Sequence, residues 1–148
     1  MTGEISDQPA SLAARAAELA AMVGVGVSED PSKGLSPIEL ASTTCRALTL
    51  APVAALRSRL VPEFNVFSAD ALDDKEQVRV GVADAIAFNE DGTPEIVIDW
   101  KSDVEPTADA LAHYKGQVRA YLEMTGAQRG LIVFATTGTA HEVTPTLP

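Results

Sequence analysis

Asp99 and Lys101 stand one spacer apart at the end of the apolar run Ile96-Val97-Ile98, with Asp84 upstream of them. Carboxylates are hard oxygen ligands, and two that converge suit Mg²⁺ or Mn²⁺. Such a cation beside a phosphodiester polarises the phosphoryl group and lowers the pKa of a bound water. Lysine is a compact point charge, so Lys101 would orient that water or stabilise the charge developing on the phosphoryl oxygens. In-line attack by water would complete a hydrolysis. The bland alternative is an exposed ion pair, which is what most Asp-x-Lys tripeptides form. The apolar strand before the tripeptide and Gly81-Val82-Ala83-Asp84 upstream weigh against it. A carboxylate and an ammonium near an apolar strand end are costly to desolvate unless something uses them.

Strands must position these groups. Side chains alternate along a strand, so Val97, Asp99 and Lys101 share one face and Ile96, Ile98 and Trp100 the other, which makes Trp100 a core residue. Residues 77–89 form the preceding strand, with Val78, Val80, Val82, Asp84 and Ile86 on one alternating face if the strand is regular. Glu90-Asp91-Gly92-Thr93 is a hairpin turn between the two strands. It brings the end of the later strand near the start of the earlier one, so Asp84 and Asp99 can converge, with the register left open. Residues 63–67 alternate as an earlier strand, and the charged stretch 70–76 reads as a turn.

Helices complete the pattern. An alanine-rich segment from Pro9 to Met22 favours helix, with Ser11 as a candidate N-cap. Gly24, Gly26, Pro31 and Gly34 then punctuate a loop. Residues 37–60 are helical, opened by Ser36-Pro37 and divided by Pro52, and they gather Arg46, Arg57 and Arg59. After Pro106 a helix runs to about Thr125 and is closed by Gly126. Residues 130–135 read as a fully buried strand, and His141-Glu142-Val143 as a last short one. The expected fold is α/β, a mixed sheet flanked by helices in which the strand after the crossover helix returns beside the earlier ones. Residues 1–35 are expected to be a helix-and-loop lead and 36–148 the domain proper.

With 148 residues, 46% hydrophobic and 22% charged, the chain supports one globular domain. No apolar run is long enough to span a bilayer. The N-terminal stretch carries Glu4 and Asp7 with no basic n-region, unlike a secretory signal, and the single Cys45 fits a reducing, cytoplasmic setting. A lone Cys45 excludes an internal disulfide and reads as a buried small hydrophobe. The net charge of −10 argues against autonomous nucleic-acid binding, though not against metal-dependent chemistry. Gly24-Val25-Gly26 lacks the Gly-Lys-Ser/Thr of a phosphate loop. His113 reads as solvent-facing or capping, and His141 carries no signal.

On the late helix, Tyr114, Gln117, Val118 and Tyr121 fall on one side. Gln117 is the odd member, because an amide beside a core face needs partners. Gly-x-x-Asp, then Ile-x-Ile-Asp-x-Lys, then Tyr-x-x-Gln-x-x-x-Tyr resembles the PD-(D/E)XK nuclease superfamily. The similarity is strongest to the RecB-type nuclease domain at the C-terminus of UvrD-like helicase-nucleases, and it covers roughly residues 36–140. The resemblance implies a restriction-endonuclease-like core and a Mg²⁺- or Mn²⁺-dependent deoxyribonuclease, exo- or endonucleolytic. It would act on DNA in repair or recombination, beside a helicase motor. By the same resemblance Asp84 and Asp99 are metal ligands, Lys101 is the catalytic lysine, and Gln117 and Tyr121 support the site and touch DNA. Glu63 matches an acidic residue at the start of the first core strand and is a further candidate ligand. RecB-type domains also carry a metal-binding histidine on an upstream helix, whereas His113 and His141 both lie downstream of Asp99. The alternative is a weakened or inactive nuclease-fold module that binds DNA or protein. A restriction-type enzyme would need a DNA-reading insertion, and none is visible.

Overall fold

The computed structural model describes residues 7–30, 32–72 and 75–146, with the backbone alone described for residues 70–72 and 75–77. Expectations for residues 1–6 and for Pro31 fall outside these residues. Helices α1 (Pro9–Met22), α2 (Pro37–Thr49) and the short α3 (Ala51–Ala54) come first, then a 3₁₀ turn, Arg57–Arg59. Strands β1 (Leu60–Leu72), β2 (Lys75–Phe88) and β3 (Pro94–Lys101) follow, then helix α4 (Ala108–Thr125), β4 (Arg129–Phe134) and β5 (Thr139–Val143). The sheet order is β1-β2-β3-β4-β5. All neighbours are antiparallel except β3 and β4, which are parallel. A parallel pair needs a crossover, and α4 supplies it.

This is an open five-stranded mixed sheet with helices on both faces, as expected. Val53 and Leu56 pack with Ala47 and Leu48 of α2 against Ala85, Ile96, Ile98 and Val133 on one face. Val118 and Leu122 of α4 pack against Ile86, Val97, Ile132 and Phe134 on the other. β3 is covered on both sides, which is why Ile96-Val97-Ile98 is a continuous apolar run. α1 packs along α2.

Local chemistry accounts for the boundaries. Ser36 Oγ accepts the Glu39 N–H at 3.3 Å to start α2. The residue before Pro52 begins α3, so the proline opens a new helix instead of kinking the old one. Thr107 Oγ1 accepts the Ala110 N–H at 3.2 Å at the start of α4, and Gly126 ends it with φ +75°. Asp91 Oδ1 accepts from both N–H and Oγ1 of Thr93 in the β2–β3 hairpin, which holds its carboxyl below the ordinary range.

Ser11 lies inside α1, whose N-cap is Gln8, so it does not cap the helix, and three further expectations change. The charged stretch 70–76 is strand at its described positions: β1 runs to Leu72 and β2 begins at Lys75, so charge alone overstated the length of the turn. The helical stretch 37–60 ends short, and Leu60 already pairs with Ala87 in the sheet. The third change concerns β2. Val78, Val80 and Val82 are exposed (58%, 65% and 48%), while Ile86 is fully buried. Ala83 and Ile86 lie against α4, but Ala85 and Ala87 face α2. The alternation therefore slips between Ala83 and Ile86, at Asp84. On β1 the matching place is Glu63, unpaired between Pro62↔Ala85 and Phe64↔Ala83, with φ +49°. A local break of this kind re-aims a side chain, and here the side chain is Asp84.

α4 lies close on the sheet because Gly130 has no side chain: a Cβ there would overlap the Val118 Cγ1 methyl. Gly130→Ala is expected to lower stability by about 1–3 kcal/mol, as overpacking does. Val118→Ala should recover part of that loss in the double variant, read as coupling in urea denaturation. Simple additivity would mean that the two residues do not press on each other.

Candidate active site

The β2–β3 ladder runs through Ala87↔Ile96, Ile86↔Val97 and Ala85↔Ile98. The next residues, Asp84 and Asp99, fall side by side without backbone pairing. The register thus places the two residues next to each other, and the Asp84 charge acts on Asp99. Asp84 Oδ2 accepts the Trp100 N–H at 2.8 Å, so a side chain satisfies the donor that the ladder leaves open.

Asp99 is 1% exposed, the only charged side chain in the buried set among the described residues. Burial pushes its carboxyl above the ordinary value of 3.8, Lys101 pulls it back, and the Asp84 charge adds to the rise. Lys101 Nζ lies 2.8 Å from Asp99 Oδ2. That approach lies outside hydrogen-bond alignment, leaving buried Oδ2 with an ion pair but no directed donor. The ammonium donates to Gln117 Oε1 at 3.3 Å and sits 4.6 Å from the centroid of the Tyr114 ring. Gln117 Nε2 donates to the Tyr121 hydroxyl at 3.4 Å, which answers what an amide was doing beside a core face. Tyr114 donates its hydroxyl proton to Asp103 Oδ2 at 3.1 Å, and that bond raises the phenol above its usual range.

Asp84, Asp99, Lys101, Gln117 and Tyr121 are thus gathered at one end of the sheet. Glu63 is exposed on β1, across from Asp84. Among the described residues no group of three or more His, Cys, Asp or Glu side chains is placed to hold a metal. The two aspartates nevertheless fit a hard cation in kind, since Asp99 Oδ2 is a buried oxygen without a directed donor. Remaining ligands would be main-chain oxygens, substrate and water. Where an upstream histidine was expected, α2 turns Thr44, Ala47 and Leu48 toward a cleft that Asp84 also lines.

Sequence reasoning gave Tyr114 only a core role and passed over Asp103. Both were findable: Tyr114 lies three residues before Gln117 on one helix face, and Asp103 continues the every-second-residue spacing of Asp99 and Lys101. The arginines of residues 37–60 are all engaged. Arg46 donates to the Thr136 carbonyl, Arg57 pairs with Asp7, and Arg59 pairs with Glu95 and donates to the Phe88 carbonyl. Cys45 is half-buried, not buried, and His113 is exposed as expected. Trp100 is half-buried at the edge of the α2-side core.

No family model and no curated protein matches the chain. A solved structure, "Crystal structure of SSO0001", matches with a TM-score of 0.52 and 26% identity, over 68% of this chain and 50% of that one. The chain thus spans about half the length of that protein. The likeness supports the α/β arrangement of sheet and helices. No described helix is long and apolar enough to cross a membrane.

A carboxyl raised in the folded state resists ionisation there. Its cost to stability is therefore full above the raised folded value and disappears as pH falls below the unfolded value near 3.8. Asp99→Asn is expected to stabilise the fold at pH 7 by about 0.5–2 kcal/mol. The gain should shrink toward zero in denaturation curves taken at progressively lower pH. A destabilised variant at pH 7 would mean that the Lys101 pair outweighs the burial cost.

Proposed function

We propose that this chain is a divalent-metal-dependent DNA nuclease domain of the RecB type within the PD-(D/E)XK superfamily. The observation that carries the proposal is the pair Asp84 and Asp99 at the point where the β2–β3 ladder stops, with Lys101 paired to Asp99. Asp84 and Asp99 would hold Mg²⁺ or Mn²⁺, which supplies a water of lowered pKa and a polarised phosphate. Lys101 would place a positive charge where the phosphoryl oxygens gain negative charge. Gln117 and the Tyr114 ring hold that ammonium in place, and Tyr121 and Asp103 hold them in turn. A site fixed in advance spends nothing on reorganisation during the reaction.

With a net charge of −10, most DNA affinity has to come from a partner or from further chain, and a cytoplasmic helicase motor is the partner that suits. The second reading is a nuclease-fold module that binds DNA or protein without cutting. The absence of a third acidic or histidine ligand beside the aspartates among the described residues favours it.

Incubation of the purified chain with labelled DNA and Mg²⁺ or Mn²⁺ decides between the two. Cleavage is expected, and Lys101→Ala should slow it by about 10²–10³-fold with the circular-dichroism spectrum unchanged. Asp84→Asn should weaken Mn²⁺ binding in calorimetry. An inert chain that takes up no Mn²⁺ would leave the scaffold reading. Tyr114→Leu should cut the rate by about tenfold, since an exposed-to-partly-buried cation–π contact is worth roughly 0.5–2 kcal/mol, and Tyr114→Phe should restore most of it. Equal losses in both variants would assign the effect to the hydroxyl and Asp103 instead of the ring.

A further inference from the structure

A cleft of about 750 Å³ opens between the α2–α3 layer and the sheet, on the side of β3 away from Lys101. Its volume is that of an ordinary small-molecule site. Leu48, Leu60, Pro62 and Ala85 give it apolar walls, and Trp100 gives it an aromatic one. Its charged members are Asp7, Asp84 and Arg57, and Arg57 is already paired with Asp7. A cleft with two carboxylates and one committed guanidinium repels a phosphate and accepts an uncharged planar group. Thr44 and Ser58 also line it and offer hydroxyls to the edge of such a group.

Asp84 belongs both to this cleft and to the aspartate pair. A ligand that presents a neutral ring to the cleft and an anionic ester to the aspartates, through whatever cation they hold, has the chemistry of a nucleotide within a chain. We propose that the cleft is a subsite for one unpaired nucleobase, packed against Trp100 beside the bond to be cut. The link to a bond being cut rests on the nuclease reading; the base-binding cleft itself does not. Stacking on an aromatic side chain tolerates any base, so the subsite would fix the position of the strand and not its sequence.

Trp100 is the only tryptophan in the chain, so its fluorescence reports on this cleft alone. The full chain is titrated with deoxyadenosine and with thymidine, which carry no phosphate, in metal-free buffer; 2-deoxyribose is the control. Saturable quenching by both nucleosides and none by the sugar is expected. Ser58→Phe, an exposed position on the cleft, and Thr44→Phe should each weaken binding by about tenfold or more, the worth of one stacked base. Both should keep the wild-type thermal midpoint. The proposal is overturned by no saturable quenching, by equal quenching with the sugar, or by affinities that neither variant changes. Quenching that appears only after removal of residues 1–6 would show that the chain's own N-terminus fills the cleft, and would overturn it too. Because this titration contains neither metal nor phosphodiester, its failure leaves the cleavage assay standing. A chain that binds nucleosides but never cuts DNA would sink the nuclease reading alone.

Discussion

The arrangement at the end of the sheet depends on one hydrogen bond, from the Trp100 N–H to Asp84 Oδ2. β2 and β3 pair regularly as far as Ala85↔Ile98 and then part. A parted strand exposes backbone donors, and a buried donor without a partner costs as much as a lost hydrogen bond. Asp84 removes that cost with its side chain. The strands can therefore separate while Asp84 and Asp99 stay adjacent. The same break accounts for the slip of alternation on β2 and for the positive φ at Glu63 on β1, which carries the distortion outward to an exposed position.

A second constraint follows from where Asp99 ends up. A buried carboxylate is tolerated only with compensation, and here it comes from Lys101 on the same strand, held by Gln117 of α4. α4 can reach that far only because it packs tightly. Gly130 admits Val118, and at Gly81 an added Cβ would crowd the Tyr121 ring. Tyr114, Gln117 and Tyr121 ride on the face fixed by those contacts. Two small residues on separate strands thus help decide how far Lys101 stands from its amide and its ring. Packing and chemistry share the same helix face, so few substitutions on it can act on one without the other.

Much of this was legible in the sequence. The continuous apolar run before Asp99 marked a strand covered on both sides, and the Asp91-Gly92 turn fixed its neighbour. Pro106 and Gly126 bracketed α4 within two residues of its observed ends. The spacing of Gln117 and Tyr121 identified the face that meets Lys101. What escaped was whatever depended on a break in a regular pattern. Period-two reasoning carried Val78, Val80 and Val82 into the same face as Ile86, because nothing in the residue types announces that Asp84 interrupts the strand. Likewise, the acidic stretch after Ala69 looked like a turn because charge normally marks solvent. In a long exposed hairpin, strands and turns are both solvated, and composition no longer tells them apart. Tyr114 packs against the core as expected, and its second contact escaped for a different reason: a ring that closes a core and a ring that seats a cation occupy the same helical positions.

The buried aspartate also bears on which functional reading is the stronger. A module that merely binds a partner gains nothing from a carboxylate held above its ordinary pKa with one oxygen lacking a directed donor. An asparagine or an apolar side chain would pack there at lower cost. A cation centre gains from the burial, because a bound cation offsets the cost of a desolvated carboxylate. The ion pair with Lys101 offsets part of that cost and does not cancel it, since the carboxyl stays above its ordinary value. Local departures from stable design are expected where a fold serves chemistry. Here the departures are a broken ladder, a strained Glu63 and a costly Asp99, and they converge within two neighbouring registers of three adjacent strands.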